Sequence, residues 1–190
     1  MLEIRIHGRG GQGVVTAAEL LSFAAFREGQ FAQAFPSFGS ERMGAPVVSF
    51  CRLDHEPIRL REPITAPDVV VVQDPTLLQS LDVFAGLHDD GWVLVNSSRG
   101  FADLGLSEWV ERFPRGHARC VPATEIARAH LGRPLPSAAL LGGFAGLTGA
   151  VALDSLRAAI RERFAGDVGE RNAAAAAATF ALTRPEPARC

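Results

Sequence analysis

The chain opens on alternating apolar and polar positions, Leu2-Glu3-Ile4-Arg5-Ile6-His7, and a period of two predicts a strand. A glycine loop follows from Gly8 to Gly13. Val14 to Arg27 then carries helix-forming residues with apolar groups on more than one face, which completes a strand–loop–helix unit. Phe31 to Phe35 predicts a second strand, Pro36 to Pro46 a loop rich in turn formers, and Val47 to Leu53 a third strand. Asp54-His55-Glu56 is expected to turn that strand onto Ile58 to Leu60 as a β-hairpin attached to the sheet. Val69 to Val72 is a continuous β-branched run, the pattern of a parallel strand covered on both faces, and Asp74-Pro75 ends it. Thr76 to Leu87 predicts a helix, Trp92 to Val95 a strand, Ser107 to Phe113 a short helix and Arg119 to Val121 a last strand. Thr124 to Leu131 predicts a helix with Thr124 as its N-cap.

Beyond Pro136 the strand patterns stop. Two helical stretches remain, Ser137 to Phe164 with a break near Leu153-Asp154, and Val168 to Leu182; the alanine run Ala173 to Ala178 predicts a close-packed helix face. Strands alternating with helices imply the α/β class: a single Rossmann-like domain, mostly parallel sheet with helices on both faces, right-handed crossovers, a β-hairpin addition and a helical C-terminus. No internal repeat or linker divides the chain. One domain is expected over 1–182, with a flexible tail over 183–190.

Gly8-Arg9-Gly10-Gly11-Gln12-Gly13 satisfies G-x-G-x-x-G between a strand and a helix, the context of a nucleotide-phosphate site. Glycines let the backbone turn tightly and approach an anion, while free N–H groups at the helix start point toward it. One dipole contribution is worth only about 0.3–1 kcal/mol, so several amides must converge. A dinucleotide site also wants an acid about 20 residues beyond the glycines, at the end of the second strand. Here that strand ends in Phe35-Pro36-Ser37, with Glu28 inside the helix end and Glu41 out in the next loop. A phosphate or diphosphate ligand without that ribose contact fits better. A second reading stays open, in which the glycines only let helix and strand pack closely.

Charge and cysteines narrow the function classes. A formal net charge of −2 gives no electrostatic reason to expect nucleic acid or an anionic membrane as partner. All 19 basic residues are Arg, so an anion site must use Arg, His or backbone N–H groups. Cys51, Cys120 and Cys190 form neither a C-x-x-C metal knuckle nor a disulfide framework, which predicts no iron–sulfur cluster on this chain. No export signal is visible, and the glycine-interrupted apolar stretch Ser137 to Leu153 falls short of the roughly 20 residues that cross a bilayer; a cytoplasmic location is expected.

Taken together, Gly8-Arg9-Gly10-Gly11-Gln12-Gly13 and Ala34-Phe35-Pro36-Ser37-Phe38-Gly39-Ser40-Glu41-Arg42-Met43-Gly44-Ala45-Pro46-Val47 resemble the gamma subunit of pyruvate:ferredoxin and related 2-oxoacid:acceptor oxidoreductases. Gly169-Glu170-Arg171-Asn172-Ala173 is similar to the Asn-containing start of that family's last helix. The resemblance runs from Leu2 to about Leu182. It implies a multi-subunit enzyme that decarboxylates a 2-oxoacid on thiamine diphosphate with Mg²⁺, passes electrons through iron–sulfur clusters to ferredoxin or NAD, and releases an acyl-coenzyme A. Those centres are expected on alpha, beta and ferredoxin-like delta partners, with an NAD-reducing flavoprotein as a further partner. This chain is expected to carry no catalytic centre and no metal, to hold the catalytic subunits together and to contact coenzyme A. Met43-Gly44-Ala45-Pro46 resembles the pyruvate-like branch; aryl and branched-chain oxoacids stay open as substrates.

The residues expected at the coenzyme are Gly8, Arg9, Gly10, Gly11, Gln12, Gly13, Ser37, Glu41 and Arg42, with the arginines adding charge-assisted contacts. Ser137 stands where many relatives show Asn, so no role is carried onto it. His7 abuts the loop and reads as a hydrogen-bonded strand-end histidine. Asp74 sits at the carboxyl end of a strand, where α/β folds place ligands, and also serves as a strand stop. Two other classes stay in play: a stand-alone nucleotide-binding oxidoreductase and a purely structural scaffold.

Overall fold

The computed structural model describes residues 1–37 and 43–184. A six-stranded sheet runs through it in the order β2-β3-β1-β4-β5-β6, from β1 (Leu2–Arg9), β2 (Phe31–Pro36), β3 (Pro46–Asp54), β4 (Val69–Val72), β5 (Trp92–Asn96) and β6 (Ala118–Val121). β1, β4, β5 and β6 pair in parallel, while β3 is antiparallel to both β1 and β2. The carboxyl ends of the four parallel strands therefore share one edge. The hairpin addition exists, but its arms are β2 and β3 rather than Val47–Leu53 and Ile58–Leu60. Both edges of β3 are occupied by β1 and β2, which leaves Ile58–Leu60 no ladder to join.

Alternation along the strands sends residues to two cores. Ile4, Ile6, Val69, Val71 and Leu94 pack beneath α1 (Val14–Arg27) and the late helices, whereas Val70, Val72, Val93 and Val95 meet Leu77, Val83, Leu87 and Phe113 on the opposite face. The first cover is helical throughout. The second is built from a 3-10 helix (Pro75–Gln79), turns and the one-turn α2 (Ser107–Val110). The helix expected over Thr76–Leu87 does not continue past that first turn. Buried Arg5 takes the carbonyls of Val83 and Ala85 at 3.0 and 2.6 Å, and Gly86 has left-handed φ with its Cα pressed on the Thr65 carbonyl.

α3 (Ala123–Leu131) has Pro122, not Thr124, at its N-cap position. Asn96, at the end of β5, caps it from outside: its Oδ1 accepts the Thr124 N–H at 3.1 Å and its Nδ2 donates to Thr124 Oγ1 at 2.8 Å. The broken helical stretch is α4 (Ser137–Thr148) and α5 (Leu153–Arg163), and the last helix is α6 (Asp167–Thr183). The alanine face of α6 lies directly on α4. A Cβ at Gly142 would fall 1.9 Å from the Ala176 carbonyl oxygen, so only glycine permits this approach. Thr179 and Thr183 hydroxyls donate across the seam to the carbonyls of Ala139 and Gly143. Thr183, where a tail was expected to begin, is thus a buried helical residue; 185–190 lie outside the described residues. Among the described residues no helix is long and apolar enough to cross a membrane.

Candidate functional site

β1 delivers the chain to the shared carboxyl edge, where the glycine loop divides its labour residue by residue. Gly8 still belongs to the strand, and a Cβ there would meet Val14 Cγ2 at 2.5 Å, so its smallness lets α1 pack on the sheet. Gly10 is tied to the neighbouring loop: its N–H donates to the Ala45 carbonyl at 2.8 Å and its carbonyl accepts the Gly44 N–H at 3.1 Å. Gly11 and Gly13 have φ of 90° and 77°, a backbone that side chains oppose. Gly13 is the N-cap of α1 and supplies no side chain to satisfy the first turn. Among the described residues the amides of Gly11, Gly13, Val14, Val15 and Thr16 have no partner. Convergent N–H groups at a helix start form an anion site.

A polar belt fixes this loop to β4. Gln73 and Asp74 follow β4 directly. The Gln73 amide donates to the Gln12 carbonyl, and Asp74 Oδ2 accepts the Gln12 side-chain amide at 2.7 Å while pairing with Arg9 at 3.2 Å. Burial pushes the Asp74 carboxyl up, but hydrogen bonds from Thr76 and Gln12 and the Arg9 charge outweigh it and hold the group below the usual carboxylate range. Arg9 also donates to Thr76 Oγ1 and to the Gly44 carbonyl.

Beside the loop lies a cavity of about 440 Å³, bordered by the starts of α1, α4 and α6 through Gly13, Ser137 and Asp167. The positive ends of three helices face one space. Leu131, Leu135, Phe164 and Val168 form its apolar wall, and Arg133, Arg171 and Asn172 its polar one. Arg171 is paired with Asp167 at 2.7 Å, whereas Arg133 makes no ion pair among the described residues. Asn172, 7% exposed, donates its Nδ2 to the Val168 carbonyl. Ser137 Oγ would stand 3.1 Å from a Cβ at Gly13, so the glycine also gives α4 its place against the loop.

The family model for pyruvate ferredoxin/flavodoxin oxidoreductase matches residues 3–182. The chain belongs to this family. It is 50% identical over 184 residues to the common gamma subunit of pyruvate/ketoisovalerate oxidoreductases from Pyrococcus abyssi, covering 97% of this chain and 98% of that one. It is 49% identical to the pyruvate synthase subunit PorC of Methanothermobacter thermautotrophicus, with 93% and 92% covered. The crystal structure of the pyruvate oxidoreductase subunit PORC from Thermotoga maritima superposes with a TM-score of 0.79 at 35% identity, 95% of each chain being covered. The same fold recurs within a longer polypeptide, a 2-oxoglutarate:ferredoxin oxidoreductase from Magnetococcus marinus solved with 2-oxoglutarate, coenzyme A and succinyl-CoA. That match has a TM-score of 0.76 at 20% identity and covers 96% of this chain but 31% of that one.

In this gamma-type subunit the two segments that carry the resemblance meet in space, because Gly44 and Ala45 bond Gly10. Of the residues expected at the site, Gly8 to Gly13 lie together, although the Arg9 guanidinium is engaged within the loop's own scaffold rather than held free. Ser37 is exposed, its N–H bonded to the Val48 carbonyl, and Val48 pairs with His7. It therefore stands two strands from β1, about 10 Å away at the usual strand spacing. Glu41 and Arg42 lie outside the described residues. His7 is buried, with Nε2 accepting from Arg5 Nε at 3.0 Å; burial, helped by the Arg5 charge, pushes its imidazolium down to about 3. Arg133 and Ser137 border the cavity without having been assigned a place there. Arg133 carried a signal in its bracketing by the turn formers Gly132 and Pro134.

Proposed function

We propose that this gamma-type subunit serves a thiamine-diphosphate-dependent 2-oxoacid:acceptor oxidoreductase by receiving coenzyme A phosphate at the glycine loop, with the reaction centre on partner subunits. The observation that carries this reading is the row of amides, Gly11 and Gly13 to Thr16, unpaired among the described residues, of which Gly11, Gly13 and Thr16 border a cavity that also presents Arg133. These groups fit a phosphate: N–H donors and a cation, with no carboxylate but the paired Asp167 on the cavity wall among the described residues. When bound, coenzyme A supplies the thiol that accepts the acyl group. The chain's own residues orient its phosphates and limit solvent access along the apolar wall of Leu131, Leu135, Phe164 and Val168.

A dinucleotide reading fits less well, for a topological reason. On the side of β1 away from β4, the neighbouring strand is the antiparallel β3, which starts rather than ends at the glycine loop, with Pro46 opposite Arg9. No strand end is available there for a ribose-binding acid. The names of the relatives support pyruvate or a branched-chain oxoacid as substrate and ferredoxin as acceptor, and the proposal extends to alpha, beta and delta chains as partners and NAD as an alternative acceptor. Gly13→Ala in the assembled enzyme is expected to raise the KM for coenzyme A about tenfold, the equivalent of roughly 1.4 kcal/mol, with the partner subunits still bound. An unchanged KM would leave the subunit a scaffold. Co-purification with thiamine- and iron-containing chains, identified by mass spectrometry, tests the partner assignment.

A further inference from the structure

We infer that Asp74 is the positioning residue of the glycine loop, holding it in the shape that presents the free amides; this rests on the reading of that loop as the coenzyme's phosphate site. The two oxygens of its carboxylate face different tasks. Oδ1 accepts the Thr76 N–H at 3.0 Å and the Thr76 hydroxyl at 2.6 Å, which caps the 3-10 helix and ends β4. Oδ2 points to the loop, accepting Gln12 Nε2 at 2.7 Å and pairing with Arg9 Nε at 3.2 Å.

Gln12 is the crossing point. Its Oε1 accepts the Arg9 N–H at 2.8 Å, its Nε2 reaches Asp74, and its carbonyl receives the Gln73 side-chain amide. One side chain thereby bridges the start of the loop to the sheet, while the Gly10 contacts to Gly44 and Ala45 hold the other side. Gly11, between these two anchors, and Gly13, just beyond Gln12, adopt left-handed backbone that nothing in their own structure enforces. Asp74 also keeps the Arg9 guanidinium folded over Thr76 and Gly44.

The isosteric change Asp74→Asn separates the tasks. Its amide oxygen can still serve Thr76, but its NH₂ would face the Gln12 and Arg9 donors, and no rotation satisfies both sides. In the assembled oxidoreductase, Asp74→Asn is expected to raise the KM for coenzyme A about tenfold with kcat at saturation within twofold, as for loss of a charged hydrogen bond. The bonded amides of Arg9, Gly10 and Gln12 should exchange hydrogen about tenfold faster. Gln12→Leu should do the same, and the double variant should be no worse than the worse single, since both break one link. Should Asp74→Asn fail to assemble, Gln12→Leu alone decides by the same readouts. Unchanged exchange at these amides overturns the positioning role, as does a fall in kcat and thermal midpoint without a change in KM. Faster exchange with an unchanged KM supports the positioning role and overturns the coenzyme reading instead.

Discussion

Glycine has opposite meanings at the α4–α6 seam and at the glycine loop. At Gly142 the missing Cβ admits another helix, and the Ala176 carbonyl fills the space at once. At Gly11 and Gly13 it admits a backbone turn that leaves amides facing outward, unpaired among the described residues. One kind closes a core and the other opens a site, and at these positions the sign of φ tells them apart, left-handed at Gly11 and Gly13 but not at Gly8 or Gly142. Gly8 belongs to the first kind although it sits inside the nucleotide-binding motif, so the packing and anion-binding readings of that motif each hold for different residues.

The sharpest way to break this contrast is Gly142→Ala, which forces α4 off α6. A loss of about 3 kcal/mol is expected, at the upper end for overpacking, lowering the thermal midpoint by roughly 6–12 °C. The coenzyme KM of enzyme that still assembles should not change. Next in size is a pH effect on the buried polar strip of β1. His7 titrates near 3 in the fold and near 6.5 when unfolded, so the unfolded chain binds the extra proton between those values. Its contribution is fully present above pH 6.5 and is lost at up to about 1.4 kcal/mol per unit as pH falls toward 3. Denaturant unfolding at pH 7 and pH 5 checks the sign, and His7→Leu should flatten the slope. Gly13→Ala follows, with its tenfold change in KM and little change in subunit association. Smallest is Thr183→Val, which removes the bond to the Gly143 carbonyl and should cost about 1 kcal/mol by thermal melting without touching coenzyme affinity.

Local patterns in the chain foretold the strands, the helical C-terminal half and the break before Leu153, because each depends on residues close in sequence. The alanine run signalled a tight helix face. Pairing choices were not legible: Ile58–Leu60 looks like a strand, but β3 has no free edge, because β1 and β2 occupy both. The helix expected over Thr76–Leu87 yields to Arg5, a residue over 70 positions away that takes two of its carbonyls. Asn96 replaces Thr124 as the cap of α3 for the same reason. At the site, the glycine loop announced itself, whereas Arg133, Ser137 and Arg171 come from three separate elements that only the packed fold brings to one cavity. Arg9 looked like a ligand residue; the partner that engages it, Asp74, lies across the sheet edge.

Backbone amides at the sheet-to-helix corner are proposed to take up coenzyme phosphate. Residue-level hydrogen exchange on the assembled oxidoreductase, with and without coenzyme A, addresses this uptake directly. The amides of Gly11 and Gly13 to Thr16 should exchange fast alone and become protected with coenzyme, while those of Ala139 to Leu147 in the seam stay unaltered. Saturating coenzyme that leaves Gly11 to Thr16 as fast as before would contradict it.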